Sequence, residues 1–144
     1  MAAPSAIFDV NLLREHLAEV SEHESELTDR VYASLFTKRP DAEELFGTYS
    51  RASQERMMTE TLTAVLYILD REPWLDEYVH AMGSRHQFSY ETPTDLYAPY
   101  ADAVLGAVAA VSGPQWTSEL AAAWTAALDQ VNEMMTAGYM QTSH

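Results

Sequence analysis

Apolar residues recur at helical spacing along almost the whole of this 144-residue chain, and no segment shows the sustained alternation typical of a strand. The run from 74 to 86 is the clearest example. Leu75, Val79, Met82 and His86 fall at positions i, i+4, i+7 and i+11, so they share one face of a helix. A histidine in line with an apolar face is either a core residue with satisfied hydrogen bonds or a ligand that points into an apolar cavity.

The breaks in the periodicity predict about seven helices in one all-α domain that spans residues 1–144. Proline and capping residues set several limits, such as Pro40 after the second helix and Thr92-Pro93 at the start of the sixth. The predicted helices cover residues 9–22, 24–39, 41–45, 54–69, 73–86, 92–111 and 117–135, with loops at 47–53 and 87–91.

Composition excludes several classes of function. The formal net charge is −14, and no lysine or arginine follows Arg85, which argues against binding to nucleic acid or to an anionic membrane. The absence of cysteine excludes disulfides, thiolate catalysis, Fe–S clusters and thioether-attached haem. The N-terminal residues lack the pattern of a signal peptide, and the most apolar stretch, 101–111, is too short to cross a bilayer. We expect a cytoplasmic protein without membrane insertion.

Three polar side chains on different predicted helices stand out: Tyr32, Gln54 and His86. A single histidine without companion metal ligands suits haem, because the porphyrin supplies the four in-plane bonds to iron. Tyrosine and glutamine on the opposite side could donate hydrogen bonds to bound dioxygen. Of the other histidines, His16, His23 and His144 are expected on polar faces or at the terminus, and His80 at the surface or in helix packing.

Taken together, these residues give the chain a likeness to a known family. It resembles the globins, and more closely the bacterial single-domain haemoglobins and the globin domain of flavohaemoglobins. The stretches that carry the resemblance are 31–40, which holds Tyr32 and ends in proline, 44–46 (Glu-Leu-Phe), 85–86 (Arg-His) and 116–124. The resemblance covers nearly the whole chain, and it implies a globin fold of about seven helices around a haem pocket.

The resemblance also implies roles for individual residues. His86 would be the proximal ligand of a noncovalent haem b, Tyr32 the distal tyrosine that hydrogen-bonds a bound gas, and Gln54 the distal glutamine. The loop before Gln54 leaves Ser53 and Arg56 as other candidates for that position. The further contacts implied are Met58 over the iron, Phe46 against the porphyrin, Tyr97 beside the proximal histidine, and Arg51, Arg56 and Arg85 near the propionates.

One departure from the flavohaemoglobins bears on activity. In those proteins a glutamate of the last helix pairs with the proximal tyrosine, whereas an ungapped count from Trp124 places Tyr139 there, and Glu133 is the nearest acid. Their reductase domain is also absent from this sequence. The resemblance therefore implies a pentacoordinate haem protein that binds O₂ reversibly, and NO and CO as well. The alternatives are an NO dioxygenase that uses an external reductase and a haem-based gas or redox sensor module.

Overall fold

A computed structural model of the protein describes residues 10–44, 50–71, 73–84 and 94–141. These residues form α-helices joined by turns and contain no strand, which confirms the all-α prediction. The helices are α1 (Val10–Ser21), α2 (Glu24–Lys38), α3 (Pro40–Glu43), α4 (Ser50–Asp70), α5 (Leu75–Ser84), α6 (Tyr97–Ser112) and α7 (Ser118–Gln141), with 3₁₀ turns at Thr94–Leu96 and Gly113–Gln115.

Several helix starts differ from the prediction. α5 begins at Leu75 and not at 73, and α6 begins at Tyr97, after the 3₁₀ turn Thr94–Leu96, and not at 92. Pro40 does not merely end α2, because it is also the first residue of α3, where its missing N–H costs no hydrogen bond. The long helix α4 begins at Ser50, inside the predicted loop 47–53. Its first turn is held by Arg51, whose guanidinium pairs with Glu55 one turn later at 3.1 Å and with Asp29 on α2.

Two helix pairs give the fold its core. Among the described residues, α5 packs along α7 and α2 along α6 more extensively than any other helices pack together. The larger apolar cluster combines residues of α1, α2, α4, α6 and α7 around the fully buried Trp124. A smaller cluster joins α4, α5, α6 and α7, and it contains Val79, Met82 and Tyr97. A cavity lies between these two apolar clusters, and the helices of both clusters form its sides. None of the described helices is apolar over a stretch long enough to cross a bilayer.

The prediction that His16 lies on a polar face was wrong. Its side chain is only 5 % exposed, and it accepts a hydrogen bond from the indole of Trp124. Position 16 is one turn after Leu13 and adjacent to Leu17, both of which are buried, so it lies at the edge of the apolar stripe of α1. A partner on each ring nitrogen allows the imidazole to be buried there.

Candidate functional site

The cavity lies between α4, α5, α6 and α7. Together with the open space at its mouth it takes in about 540 Å³. Most of its described lining is apolar, and this part consists of Met57, Met82, Ala101, Leu128, Val131 and Met135. Four polar residues complete the described lining: Thr61, Tyr97, Tyr100 and Asn132. An apolar slot with a few convergent polar groups is the form expected of a site for a flat apolar ligand.

Helical spacing explains which residues of α4 reach the cavity. Met57 and Thr61 are four residues apart and face it together. Met58 is one position further round the helix, fully buried, and belongs with Leu62 to the larger apolar cluster. The Thr61 hydroxyl donates to the backbone carbonyl of Met57 at 2.8 Å, so its proton is engaged within the helix.

Tyr100 of α6 and Tyr32 of α2 lie close together beside the α4 side of the cavity. The Tyr100 hydroxyl lies 2.8 Å from Oγ1 of Thr61. Tyr32 is only 2 % exposed, and its ring centroid is 5.9 Å from that of Tyr100. Burial raises the pKa of Tyr32 above its usual range, and the neighbouring Tyr100 raises it further. Burial also raises the pKa of Tyr100. Both phenols are therefore neutral hydrogen-bonding groups at physiological pH.

On the other side of the cavity, α5, α6 and α7 come together. Met82 of α5 and Tyr97 of α6 are both buried, and both contact the cavity. The amide Nδ2 of Asn132 donates to the backbone carbonyl of Tyr97 at 3.4 Å, which links α7 to the first turn of α6. Asn132 thus places an amide in the wall next to Tyr97, whereas Glu133 is exposed.

Comparison with known proteins identifies the family. Residues 29–135, which run from within α2 to within α7, match the sequence model of the Globin family. The match covers more than half of the chain. This chain is a globin. The predicted family is therefore confirmed, and the cavity lies within the part of this globin that the match covers.

A globin-like relative has a similar length. The globin is 27 % identical over 120 residues to an uncharacterized globin-like protein of Aquifex aeolicus strain VF5. The alignment covers 83 % of this globin and 84 % of the relative. The likeness therefore extends over most of both chains.

The site residues predicted from the sequence fall into three groups. Tyr97 lines the cavity of the globin, and Tyr32 is buried behind Tyr100. Gln54 is partly buried on α4 and, like Met58, is not among the described residues that line the cavity. Arg51 and Arg56, predicted near the propionates, are exposed on α4 and are also absent from that lining. Phe46, Arg85 and His86 lie outside the described residues.

Sequence reasoning missed Thr61, Tyr100 and Asn132. Each is a polar residue at the spacing of an apolar stripe: Thr61 is four residues after Met57, and Asn132 is four after Leu128. A polar residue at such a position of a globin helix must find a partner when buried, and this requirement was the available signal.

Proposed function

We propose that this globin binds haem noncovalently in the cavity, with His86 as the ligand of the iron, and that it binds O₂ reversibly, with NO and CO as further ligands. The observation that carries the proposal is the placement of α5. Val79 and Met82 are buried on the side of α5 that faces the cavity, and Met82 lines it. His86 comes four residues after Met82 in the sequence, at the next helical position of the same stripe.

The lining of the cavity suits this cofactor. Thioether and aliphatic side chains such as Met57, Met82 and Leu128 offer adaptable apolar contacts to the two faces of a macrocycle. The polar groups are confined to a few positions, with hydroxyl groups on the α4 and α6 side and the Asn132 amide on the α7 side. Bound haem would supply an iron that holds four porphyrin nitrogens, one histidine and one diatomic gas.

The residues of the chain would then act on two sides of the haem, one that faces the bound gas and one that faces His86. The phenol hydroxyls of Tyr32 and Tyr100 would provide neutral donors for hydrogen bonding near a bound gas, whereas the Thr61 proton is engaged with the carbonyl of Met57. On α4, Met57 and Thr61 line the cavity. We therefore assign to them the place that the resemblance gives to Gln54 and Met58.

The resemblance supplies the remaining assignments, which we retain as part of the proposal. Phe46 would pack against the porphyrin, Arg85 would approach a propionate, and Tyr97 would stand beside His86.

The amide at Asn132 favours reversible binding over NO dioxygenation. The flavohaemoglobins place a glutamate beside the proximal tyrosine, and none of the described lining residues of this cavity is acidic. The amide of Asn132 is neutral, whereas a carboxylate is negatively charged, so the amide would polarise His86 less than a carboxylate would. Steady NO consumption with an added reductase would contradict this assignment, and one stoichiometric turnover without recycling would agree with it.

Absorption spectra of the purified protein in the ferric, ferrous, O₂-bound and CO-bound states test the proposal. We expect stoichiometric haem, with a reversible change of the spectrum on addition and removal of O₂. His86→Ala should lose haem or the proximal ligand, whereas His80→Ala should keep both. His80 is a fair control because it lies on α5 about 120° away from the stripe of Val79 and Met82. A His86→Ala protein with full haem occupancy and an unchanged ferrous spectrum would refute the assignment.

A further inference from the structure

Hydroxyl-bearing side chains of three helices come together beside the cavity: Tyr32 on α2, Tyr100 on α6 and Thr61 on α4. The Thr61 hydroxyl has one proton, and it donates that proton to the carbonyl of Met57. In the 2.8 Å contact with Tyr100, Thr61 is therefore the acceptor and Tyr100 the donor. The Tyr32 ring lies against that of Tyr100, with the two centroids 5.9 Å apart and the ring planes tilted by 50°.

The positions of the two tyrosines relative to the cavity differ. Tyr100 and Thr61 are both part of its lining. Tyr32 is buried in the larger apolar cluster, where its ring packs between those of Phe36 and Tyr100. Tyr100 thus stands between the Tyr32 hydroxyl and the space that a ligand would occupy.

We infer that Tyr100 is the hydroxyl group that meets a ligand in this cavity, and that Tyr32 is a positioning residue that acts on the ligand through Tyr100. This inference rests on the proposed function, since the ligand is the gas held at the haem. Tyr32 holds the Tyr100 ring in place by packing against it. Thr61 competes with the ligand for the Tyr100 proton.

The competition gives two substitutions opposite effects. Tyr100→Phe removes the donor, so a bound gas should leave faster, by about tenfold if one hydrogen bond of ordinary net strength is lost. Thr61→Val removes the competing acceptor while keeping a β-branched side chain, so the Tyr100 proton can turn fully to the ligand. Release should then slow by about threefold, which is a fraction of one hydrogen bond. Thr61→Ser keeps the acceptor and should release the gas at the original rate.

The experiment uses the haem-loaded full-length protein and two readouts. One is the O₂ dissociation rate, and the other is the C–O stretching frequency of bound CO, which falls when a proton donor stabilises negative charge on the ligand oxygen. Tyr100→Phe should raise the frequency and Thr61→Val should lower it. Tyr67→Phe is the control because it removes a phenol hydroxyl from α4 at a ring that contacts Trp74 and Tyr78 outside the described cavity lining. A general loosening of the pocket would move both variants in the same direction and would overturn the inference.

A double-mutant cycle separates the two tyrosines. If Tyr32 acts through Tyr100, Tyr32→Leu, which removes the ring, speeds release in the original protein but changes it by less than about twofold in the Tyr100→Phe background. An equal effect of Tyr32→Leu in both backgrounds would overturn the inference and would leave the proposed function intact. Failure of the original protein to take up haem would instead refute the proposed function, and the inference with it.

Discussion

The indole Nε1 of Trp124 donates a hydrogen bond of 2.8 Å to Nδ1 of His16, which joins α7 to α1 in the protein interior. On the opposite side of the ring, Nε2 of His16 is hydrogen-bonded to the hydroxyl of Ser112 on α6. That hydroxyl donates its own proton to the carbonyl of Val108 at 2.9 Å, so it accepts from Nε2. His16 is therefore neutral with its proton on Nε2, and a second proton on Nδ1 would face the N–H of Trp124.

This arrangement predicts a pH dependence of stability. Burial lowers the pKa of His16 in the folded state, although Glu19 opposes the shift. The unfolded chain then binds the proton more tightly than the folded chain, so the stabilisation is complete above the unfolded value near 6.5. It is lost as the pH falls from there towards the lower folded pKa. Urea denaturation between pH 7.5 and pH 5 should show a decreasing free energy of unfolding.

Two histidine variants assign that slope. His16→Gln removes the titrating group, so the slope between pH 6.5 and pH 5 should become shallower. His23→Gln removes an exposed histidine and should leave the slope unchanged. Equal slopes for the original protein and His16→Gln would show that His16 does not titrate in this range.

Removal of the indole donor should destabilise the fold. Trp124 is fully buried, and Trp124→Phe leaves Nδ1 of His16 without its partner. We expect a loss of about 1–3 kcal/mol in the free energy of unfolding from the unsatisfied nitrogen, with a further loss from the smaller ring. Trp74→Phe is the matched control, because Trp74 is 49 % exposed and should change the free energy by less than about 0.5 kcal/mol. Chemical denaturation of both variants at pH 7.5 compares them, and equal losses would contradict a role for the bond.

Helical periodicity was enough to predict most helices, because each buries one apolar stripe and ends at proline, glycine or a polar turn. The family could also be predicted, from short motifs that the match over residues 29–135 agrees with. The lining of the cavity could not be predicted residue by residue. A shift of one position, as between Met57 and Met58, turns a side chain by about 100° round a helix, and only the packing of α4 against its neighbours decides which faces the cavity.

The buried polar partners were missed for a related reason. Whether Thr61 meets Tyr100, or His16 meets Trp124, depends on how helices distant in sequence cross. Periodicity within one helix holds no information on such crossings. The sequence therefore predicted a type of site, and the three-dimensional packing was needed to show which hydroxyls line the cavity.

The two adjacent methionines of α4 should respond differently to truncation. Met58 is fully buried in the larger apolar cluster, so Met58→Ala should lower the free energy of unfolding by about 2–5 kcal/mol. Met57 is partly buried and lines the cavity, so Met57→Ala should cost less stability in the apoprotein and weaken haem retention more. Denaturation of the apoprotein and the rate of haem transfer to an acceptor protein measure the two effects. Stronger haem loss in Met58→Ala, at equal stability, would place Met58 at the cavity.

Substitution of two glycines of α6 by alanine should change the free energy of unfolding in opposite directions. Gly113 ends α6 with φ of 60° and ψ of −131°, a conformation that side chains with a Cβ rarely adopt, so Gly113→Ala should destabilise the fold by about 1–3 kcal/mol. Gly106 lies inside α6, and a Cβ there meets nothing within 4 Å. Gly106→Ala should therefore stabilise the fold by about 0.5–1 kcal/mol through the loss of freedom in the unfolded chain. Denaturation midpoints that shift in the same direction for both variants would contradict the assigned end of α6.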